Sequence, residues 1–395
     1  MRRWWRWTAL AAAAGALATA AAVVAAARPA DAAGKLVLRI GFPAALSGPY
    51  AAYDVPELNG MNFAVKQINA RGGIGGVTVQ VSAKDNKGQQ ALTATTTQEL
   101  LDSGIKVFVL TTADPSIASG LIVVGKGGIA SVGANTAPEI VQDVGAKSFM
   151  LVAGDNVQAS VGAQYACSKG YRKAYVIGSP EIPYTKKIPI YFEDAFKHDC
   201  NGKVTSRDTY KIGSTDYSVQ VTKVQHANPK PDFLYTSMFV PDTGVFLKQL
   251  RAAGVKLPYV TVDGNDSSLL ASSGGNAVDG VVYTTHGFPK PGTPMGTFFA
   301  QYQQLMHKKP ESNTIEAMGR DNVYALVTAA SRAHSTDPDK VLAQVMKFKN
   351  FPLLTGALTM DPKTRVPVKP MTLIRMKGKN PTFLAEISPK YVAKP

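Results

Sequence analysis

Strand-like and helix-like segments alternate along most of this chain, and that alternation restricts its possible folds more than any other feature. Short runs rich in β-branched and aromatic residues, such as 107–110, 174–177 and 233–236, are separated by longer segments with helical periodicity. This pattern is typical of βαβ units on a mostly parallel sheet. Because 395 residues exceed what one hydrophobic core usually serves, we predict two α/β domains.

Residues 41–76 carry the densest set of signals. A hydrophobic strand is predicted to stop at Gly41, and the turn-forming residues 47–49 leave a loop that holds Tyr50 and Tyr53. Loops at the carboxyl ends of strands bind ligands in open α/β sheets. Apolar residues then recur at helical spacing over 58–68, which predicts a helix with one apolar face against the sheet.

Residues 1–32 predict a secretory signal peptide. Three arginines form a basic start, an apolar Ala-rich run follows, and small residues surround a cleavage point after Ala32. An uncleaved anchor helix is the alternative. No cysteine stands at the cleavage point, so a lipoprotein anchor is not expected. We therefore expect export to the periplasm.

The charge of the chain says little about its partner. Cleavage would remove four arginines and one aspartate, which lowers the formal net charge from +15 to +12. A basic surface could steer an anionic ligand or an acidic partner, and solubility explains it equally well. The lysines are scattered, without a dense basic run or interleaved aromatics, so nucleic acid is not expected as a partner.

The sequence contains two cysteines, Cys167 and Cys200. Exported proteins can form disulfides. Predicted helices surround a strand at 174–177, and right-handed crossovers could bring the helix ends that carry the two cysteines together. We predict a Cys167–Cys200 bridge, with two small buried residues as the alternative.

Motifs for catalysis are missing from the sequence. It has no CxxC, no HExxH and no GxSxG, and its glycine-rich run precedes a predicted strand, whereas a dinucleotide fingerprint follows one. The five histidines, which include His286, are predicted mostly at helix ends without nearby partner residues. We predict that the protein is not an enzyme and needs no metal and no cofactor.

Several spaced motifs near the amino terminus agree, in order, with one known family. They are Leu46-Ser47-Gly48-Pro49, Asn59-Gly60-Met61, Ile68-Asn69-Ala70 and Gly72-Gly73-Ile74. Together they resemble the signature of the periplasmic substrate-binding proteins of the branched-chain amino acid ABC-transporter family. A single Ser-Gly-Pro would carry no such meaning, but chance is a poor explanation for the whole set.

The resemblance implies a particular fold. It is the periplasmic binding protein type 1 fold, with two doubly wound, mostly parallel Rossmann-like α/β lobes joined by a three-segment hinge. Lobe I would comprise residues 35–154 and 285–361, and lobe II residues 155–284 and 362–395. Several crossings restrict lobe motion to opening and closing. We expect a monomer that meets a small-molecule ligand and a membrane-bound ABC permease.

The resemblance also implies binding residues on lobe I. Thr112 and Ala113 stand where the family holds a ligand carboxylate through a hydroxyl and backbone amides. Asp114 departs from the family pattern, and we favour a helix cap over a ligand contact for it.

A second loop of lobe I, and Tyr53, complete this side of the predicted site. Ala134, Asn135 and Thr136 resemble the segment whose carbonyl and threonine hydroxyl meet the ligand, with an ordinary Asn/Pro turn as the alternative. Tyr53 matches an aromatic residue that closes the first-lobe side of the pocket.

On lobe II, three residues match family positions. Tyr184 would cover the ligand, Phe239 would add a second aromatic wall, and Asp263 would pair with a ligand ammonium. Each alone could be packing or a strand-end cap. Together they suit a small molecule with an apolar body and a charged end.

These residues predict a solute-binding protein that captures a small polar metabolite and delivers it to an ABC permease. A branched-chain or other aliphatic amino acid is the first expectation, through Asp263 and the resemblance. Aromatic carboxylates, urea and short amides are the alternatives. A ligand-sensing module is the rival of another class.

Overall fold

The computed structural model describes residues 36–112 and 116–395, which contain two β-sheets. The predicted signal peptide, and also Ala113 and Asp114, lie outside the described residues. The first sheet has five strands in the order β2-β1-β3-β4-β5, and every neighbouring pair is parallel. Its strands are β1 (Val37–Ala44), β2 (Thr78–Asp85), β3 (Val107–Val109), β4 (Ile129–Ser131) and β5 (Ser148–Phe149).

Helices cover both faces of the first sheet. In β3, Val107 and Val109 belong to one helix-covered core, whereas Phe108 belongs to the core on the opposite face of the sheet. Alternate residues of a strand point to opposite faces, so both faces are buried. The helices are α1 (Ala51–Ala70), α2 (Gln90–Asp102), α3 (Ser116–Gly125) and α4 (Glu139–Val144), joined later in the chain by α10 (Pro294–Met306), α11 (Ile315–Ala333) and α12 (Pro338–Val345).

The second sheet has seven strands in the order β12-β11-β10-β9-β8-β6-β7. The strands from β7 to β10 pair in parallel, and β11 and β12 add an antiparallel edge. The strands are β6 (Lys173–Gly178), β7 (Lys203–Thr209), β8 (Phe233–Thr236), β9 (Tyr259–Thr261), β10 (Val282–Thr285), β11 (Met371–Lys377) and β12 (Asn380–Ile387).

The second sheet is also buried on both faces. Ala174 and Val176 of β6 point into one core, and Tyr175 and Ile177 point into the other. The accompanying helices are α5 (Asp155–Ser168), α6 (Pro183–Cys200), α7 (Ser218–Gln225), α8 (Asp242–Ala252) and α9 (Ser268–Gly274). The predicted class, two doubly wound and mostly parallel α/β lobes, is confirmed.

Chain order shows how the lobes are connected. The chain builds the first sheet, passes to the second after β5, returns with α10 to α12, and ends with β11 and β12 in the second. Three segments therefore join the lobes, as the resemblance implies. The boundaries at residues 154, 285 and 362 stay predictions.

Some local predictions were wrong. The first strand continues past Gly41 to Ala44, because its neighbour β2 pairs with it along all eight residues. Tyr53 lies in the first turn of α1 and not in a loop.

A disulfide joins Cys167, at the end of α5, to Cys200, at the end of α6. Their Cα atoms lie 5.8 Å apart. The bridge therefore ties the two helices that pack on one face of the second sheet. No described helix is long and apolar enough to cross a membrane.

Candidate functional site

A cavity lies between the two sheets, at the carboxyl ends of their parallel strands. It encloses about 90 Å³ and is formed by segments that follow β1, β3, β4, β6, β8 and β9 and by the start of α11. Loops at this edge of open α/β sheets are the usual ligand sites. The lining residues are Tyr50, Tyr53, Thr112, Ala134, Asn135, Thr136, Ile182, Tyr184, Phe239, Asp263, Gly264, Thr314, Ile315 and Met318.

The structure brings the described members of the predicted site together. All eight line the one cavity, namely Tyr53, Thr112, Ala134, Asn135, Thr136, Tyr184, Phe239 and Asp263. The ninth, Ala113, lies outside the described residues, as does Asp114, whose role as helix cap or ligand contact stays a prediction. Ile182, Thr314, Ile315 and Met318 were missed, because apolar and hydroxyl residues at helix starts have no distinctive sequence signal.

Asp263 stands at the lobe II wall with both carboxylate oxygens hydrogen-bonded. The Tyr184 hydroxyl donates to Oδ1 at 2.8 Å, and His286 Nε2 lies 2.9 Å from Oδ2. The Gly264 amide donates to the Tyr184 oxygen at 3.0 Å. Burial first, and the Asp263 charge second, hold the pKa of Tyr184 well above its usual value, so this hydroxyl keeps its proton. The carboxylate is therefore held in one orientation.

His286 corrects a prediction. Sequence reasoning gave the histidines no nearby partners, whereas His286 is buried and paired with Asp263. Asp263 follows β9 and His286 follows β10, and these strands are neighbours in the sheet. Adjacent parallel strands bring their carboxyl ends side by side. Pairing of the two strands would therefore have predicted that Asp263 and His286 are neighbours.

Aromatic rings surround the space in front of Asp263. The ring centroids of Tyr53 and Phe239 lie 6.2 Å apart, and those of Tyr184 and Phe239 lie 6.3 Å apart, both pairs edge to face. Ring faces attract cations, and their area excludes water from a ligand's apolar body. One acid among three rings is an arrangement that suits an amine.

Gln158 connects the walls of the two lobes, and sequence reasoning missed it. Its Oε1 accepts from the Asp263 amide at 3.1 Å and from the Thr284 hydroxyl at 3.0 Å. Its Nε2 donates to Asp155 at 2.8 Å and to the Thr136 hydroxyl at 3.4 Å. Burial and the nearby Asp263 charge hold the pKa of Asp155 well above its usual value.

On lobe I, the donors of Thr112 are engaged by Asp54, a residue that sequence reasoning did not select. The Thr112 amide lies 2.9 Å from Asp54 Oδ1, and the Thr112 hydroxyl donates to the same oxygen. The other oxygen accepts from the Ala45 amide at 2.6 Å and from the Thr111 hydroxyl at 2.5 Å. Asp54 is fully buried in the first turn of α1.

Asp54 and Glu57 are two buried carboxyl groups on α1. Burial raises the pKa of Asp54, and the hydrogen bonds from Thr111, Thr112 and Ala45 oppose that rise. Glu57, one turn further along α1, is also fully buried, and burial together with the Asp54 charge holds its pKa well above the usual range. The four hydrogen bonds that Asp54 accepts favour its ionised form, and the two neighbouring carboxyl groups oppose each other's ionisation.

Within the described residues, no group of three or more His, Cys, Asp and Glu side chains is placed to hold a metal ion. The cavity wall is built of aromatic, aliphatic and hydroxyl side chains with one carboxamide, that of Asn135, and one carboxylate. Its geometry is that of a binding site for a small organic molecule.

Two doubly wound lobes with three connecting segments and a cavity between their strand ends define the class of cleft-type solute-binding proteins. Sequence similarity to known proteins supports the same class. The chain belongs to the periplasmic binding protein family, whose model matches residues 37–381. The family resemblance drawn from the amino-terminal motifs is therefore confirmed.

Curated relatives are similar over most of this chain. The Leu/Ile/Val-binding protein of Escherichia coli (strain K12) is 26% identical over 341 residues, which cover 82% of this chain and 87% of the relative. The Leu/Ile/Val-binding protein homolog 1 of Brucella abortus (strain 2308) is 26% identical over 334 residues, covering 83% of this chain and 86% of the relative.

Solved structures share the fold. A leucine-binding protein from Thermotoga maritima superposes with a TM-score of 0.80 at 23% identity, covering 89% of this chain and 99% of that one. A solute-binding protein from R. palustris in complex with benzoate gives a TM-score of 0.77 at 17% identity, covering 91% and 98%. At such identities the likeness concerns the fold alone.

Proposed function

We propose that this protein is an exported solute-binding protein that captures an amino acid, or a close derivative, with an aliphatic body and delivers it to an ABC permease. The observation that carries the proposal is Asp263, held in the cavity wall between aromatic rings. A ligand ammonium beside this carboxylate, whose side chain is 11% exposed, would form a charge-assisted hydrogen bond.

The apolar part of the cavity supports an aliphatic side chain on the ligand. Ile182, Ile315 and Met318 line it together with Phe239. Aliphatic groups that leave water for such a lining contribute about 25 cal/mol per Å² of buried surface. The names of the curated relatives, which specify leucine, isoleucine and valine, support the same class of ligand.

Closure of the cleft would trap the ligand. The Tyr53 hydroxyl of lobe I donates to the Gly264 carbonyl of lobe II at 3.1 Å, so part of the closed state is held by protein contacts alone. A ligand that touches both lobes adds contacts available only when they close, which shifts the population towards the closed form. A permease that recognises the closed form would then receive the loaded protein.

Aromatic carboxylates are the second candidate. The ring-rich wall of Tyr53, Tyr184 and Phe239 favours them, and a solved structure of the same fold contains benzoate. The placement of Asp263 in that wall opposes them, because two like charges would meet in a site of low polarity. The amine therefore remains the first candidate.

Periplasmic location and a monomeric state belong to this proposal. The pattern of residues 1–32 supports export, and the family of the chain supports the periplasm. Small-angle scattering of the processed chain, with mass spectrometry of its amino terminus, measures both the mass of the particle and the cleavage after Ala32.

Calorimetric titration of the processed protein tests the proposal. Leucine, its amide leucinamide and benzoate form the panel, and at least one of the two amines is expected to bind more tightly than benzoate. Asp263→Ala should weaken amine binding by at least about tenfold, because a buried charged partner is lost. Asp102→Ala, at an exposed position of α2, is the control. Unchanged amine affinity in Asp263→Ala would show that the ammonium role is wrong.

A further inference from the structure

We propose that the ligand group facing Thr112, just after β3, is a neutral amide or an amine and not a free carboxylate, because the Asp54 carboxylate already occupies the amide and hydroxyl donors of Thr112. This inference rests on the proposed function and narrows its ligand to amino-acid amides and related amines. It follows from three features of the cavity wall: occupied donors, the distribution of charge, and the direction of its hydroxyl hydrogens.

The first feature is the saturation of Asp54. Two amides and two hydroxyls donate to its oxygens, two to each oxygen. A carboxylate offers about four lone-pair positions, and here four donors fill them. Because both oxygens accept from backbone amides, the ionised form fits this environment. Asp54 therefore holds the position that a ligand carboxylate would need at Thr112.

The second feature is charge. The residues that line the cavity include Asp263 and no lysine, arginine or histidine among those described. Ala113, Asp114 and Pro115, which follow Thr112, bring no basic side chain by sequence. A ligand carboxylate at Thr112 would lie close to ionised Asp54, with no cation in the lining to offset the repulsion. An uncharged or positive group meets no such penalty.

The third feature is the direction of the hydroxyl hydrogens. Four lining hydroxyls donate their single hydrogen to the protein: Tyr53 to the Gly264 carbonyl, Thr112 to Asp54, Tyr184 to Asp263 and Thr314 to Asp266. A hydroxyl whose hydrogen is engaged can only accept from a ligand. These hydroxyls therefore present acceptor oxygens to the cavity, which a ligand N–H or O–H group can meet and an ionised carboxylate oxygen cannot.

Calorimetry with leucine and leucinamide tests this inference, since the two differ in the group that would face Thr112. The wild-type protein is expected to bind leucinamide at least tenfold more tightly than leucine. Asp54→Asn removes the charge at nearly constant volume, and it should reduce this preference by at least tenfold. The preference is a ratio, so it is insensitive to a uniform loss of active protein.

Asp321→Asn is the matched control. Asp321 is also a buried aspartate, and it accepts from the Leu354 and Thr355 amides and from the Thr355 hydroxyl, outside the cavity lining. Its substitution should lower stability without changing the ratio. If Asp54→Asn does not fold, the ratio of leucinamide affinity to leucine affinity in the wild-type protein tests the inference by itself.

The outcomes separate this inference from the proposed function. Tighter binding of leucine than of leucinamide by the wild type, or an unchanged ratio in folded Asp54→Asn, would overturn the inference and leave an amine-binding protein. Failure of both amines to bind, with benzoate bound, would overturn the proposed function and this inference with it.

Discussion

Lys369 is a buried cation at the junction of the two lobes. Its ammonium donates to the Leu151 carbonyl at 3.2 Å, just after β5, and to the Thr355 hydroxyl at 2.9 Å. Thr355 in turn donates to Asp321 of α11. Two of the three segments that join the lobes are thereby tied to α11. Burial lowers the pKa of Lys369 from 10.5 to about 8, against the opposing attraction of Asp321.

This shift predicts a pH dependence of stability. Between pH 8 and 10.5 the unfolded chain holds the lysine proton that the folded protein has lost, so Lys369 makes the free energy of unfolding rise with pH. The free energy of unfolding of the wild type minus that of Lys369→Met should increase by about 3 kcal/mol across this range. The increase corresponds to about 1.4 kcal/mol per pKa unit. Urea unfolding at several pH values measures it.

The test uses the difference in the free energy of unfolding between the wild type and Lys369→Met. Buried tyrosines, whose pKa values are raised, make the stability of both proteins fall at high pH. That effect cancels in the subtraction. Parallel stability curves for the wild type and Lys369→Met would contradict the assignment of the shift to Lys369.

At the scale of elements, the contact between α1 and α11 positions much of the site. A Cβ added at Gly60 of α1 would lie 1.8 Å from the Glu316 carbonyl oxygen, and one added at Gly319 of α11 would lie 2.1 Å from that of Glu57. Both glycines are needed for the two backbones to approach this closely. Since Tyr53 and Met318 of these helices line the cavity, the crossing also determines its shape.

Gly60→Ala is therefore expected to be strongly destabilising. The added methyl group meets backbone atoms, which cannot rotate away, and overpacking of this kind costs about 1–3 kcal/mol. The control is Gly125→Ala at the exposed end of α3, where nothing lies within 4 Å of the new Cβ and the change should stay within about 0.5 kcal/mol. Denaturant titrations of both variants supply the values, and equal stabilities would refute the crossing as described.

At the scale of the whole molecule, the lobes meet through a few polar contacts across the cleft. The Tyr53 hydroxyl reaches the Gly264 carbonyl, and the Tyr191 hydroxyl of α6 donates to Glu139 of α4. Polar contacts of this kind between domains permit relative motion. The closed arrangement should thus be in equilibrium with an open one when no ligand is bound.

Tyr53→Phe tests that equilibrium. Loss of one neutral hydrogen bond, about 0.5–1.5 kcal/mol, should favour the open form and weaken ligand affinity roughly two- to tenfold. Small-angle scattering should show a larger radius of gyration for the ligand-free variant than for the wild type. Tyr391→Phe, which removes a hydroxyl bonded to Asp194 away from the cleft, is the control. Identical scattering from all three proteins, with and without ligand, would exclude closure.

The fold class and the position of several cavity residues could be predicted from the sequence, because both depend on short-range sequence patterns. Strand and helix signals depend on neighbours within a few residues, and alternation of the two is typical of parallel sheets buried on both faces. The residues just after those strands, such as Thr112, Thr136 and Asp263, could be placed at one edge of each sheet on that basis. The structure confirms the α/β class and brings these residues to one cavity.

The tertiary structure alone decided which partners those residues have. Asp54 meets Thr112 across 58 positions of sequence, and Gln158 meets Asp263 across 105. Such pairs depend on how helices cross and how lobes close, which nearby residues do not encode. Whether a hydroxyl donates to a ligand or to a buried carboxylate is settled by that packing. The sequence thus determined the two α/β lobes and the strand ends that form the binding site. Tertiary packing decided which lining groups offer hydrogen-bond donors and which offer acceptors to a ligand.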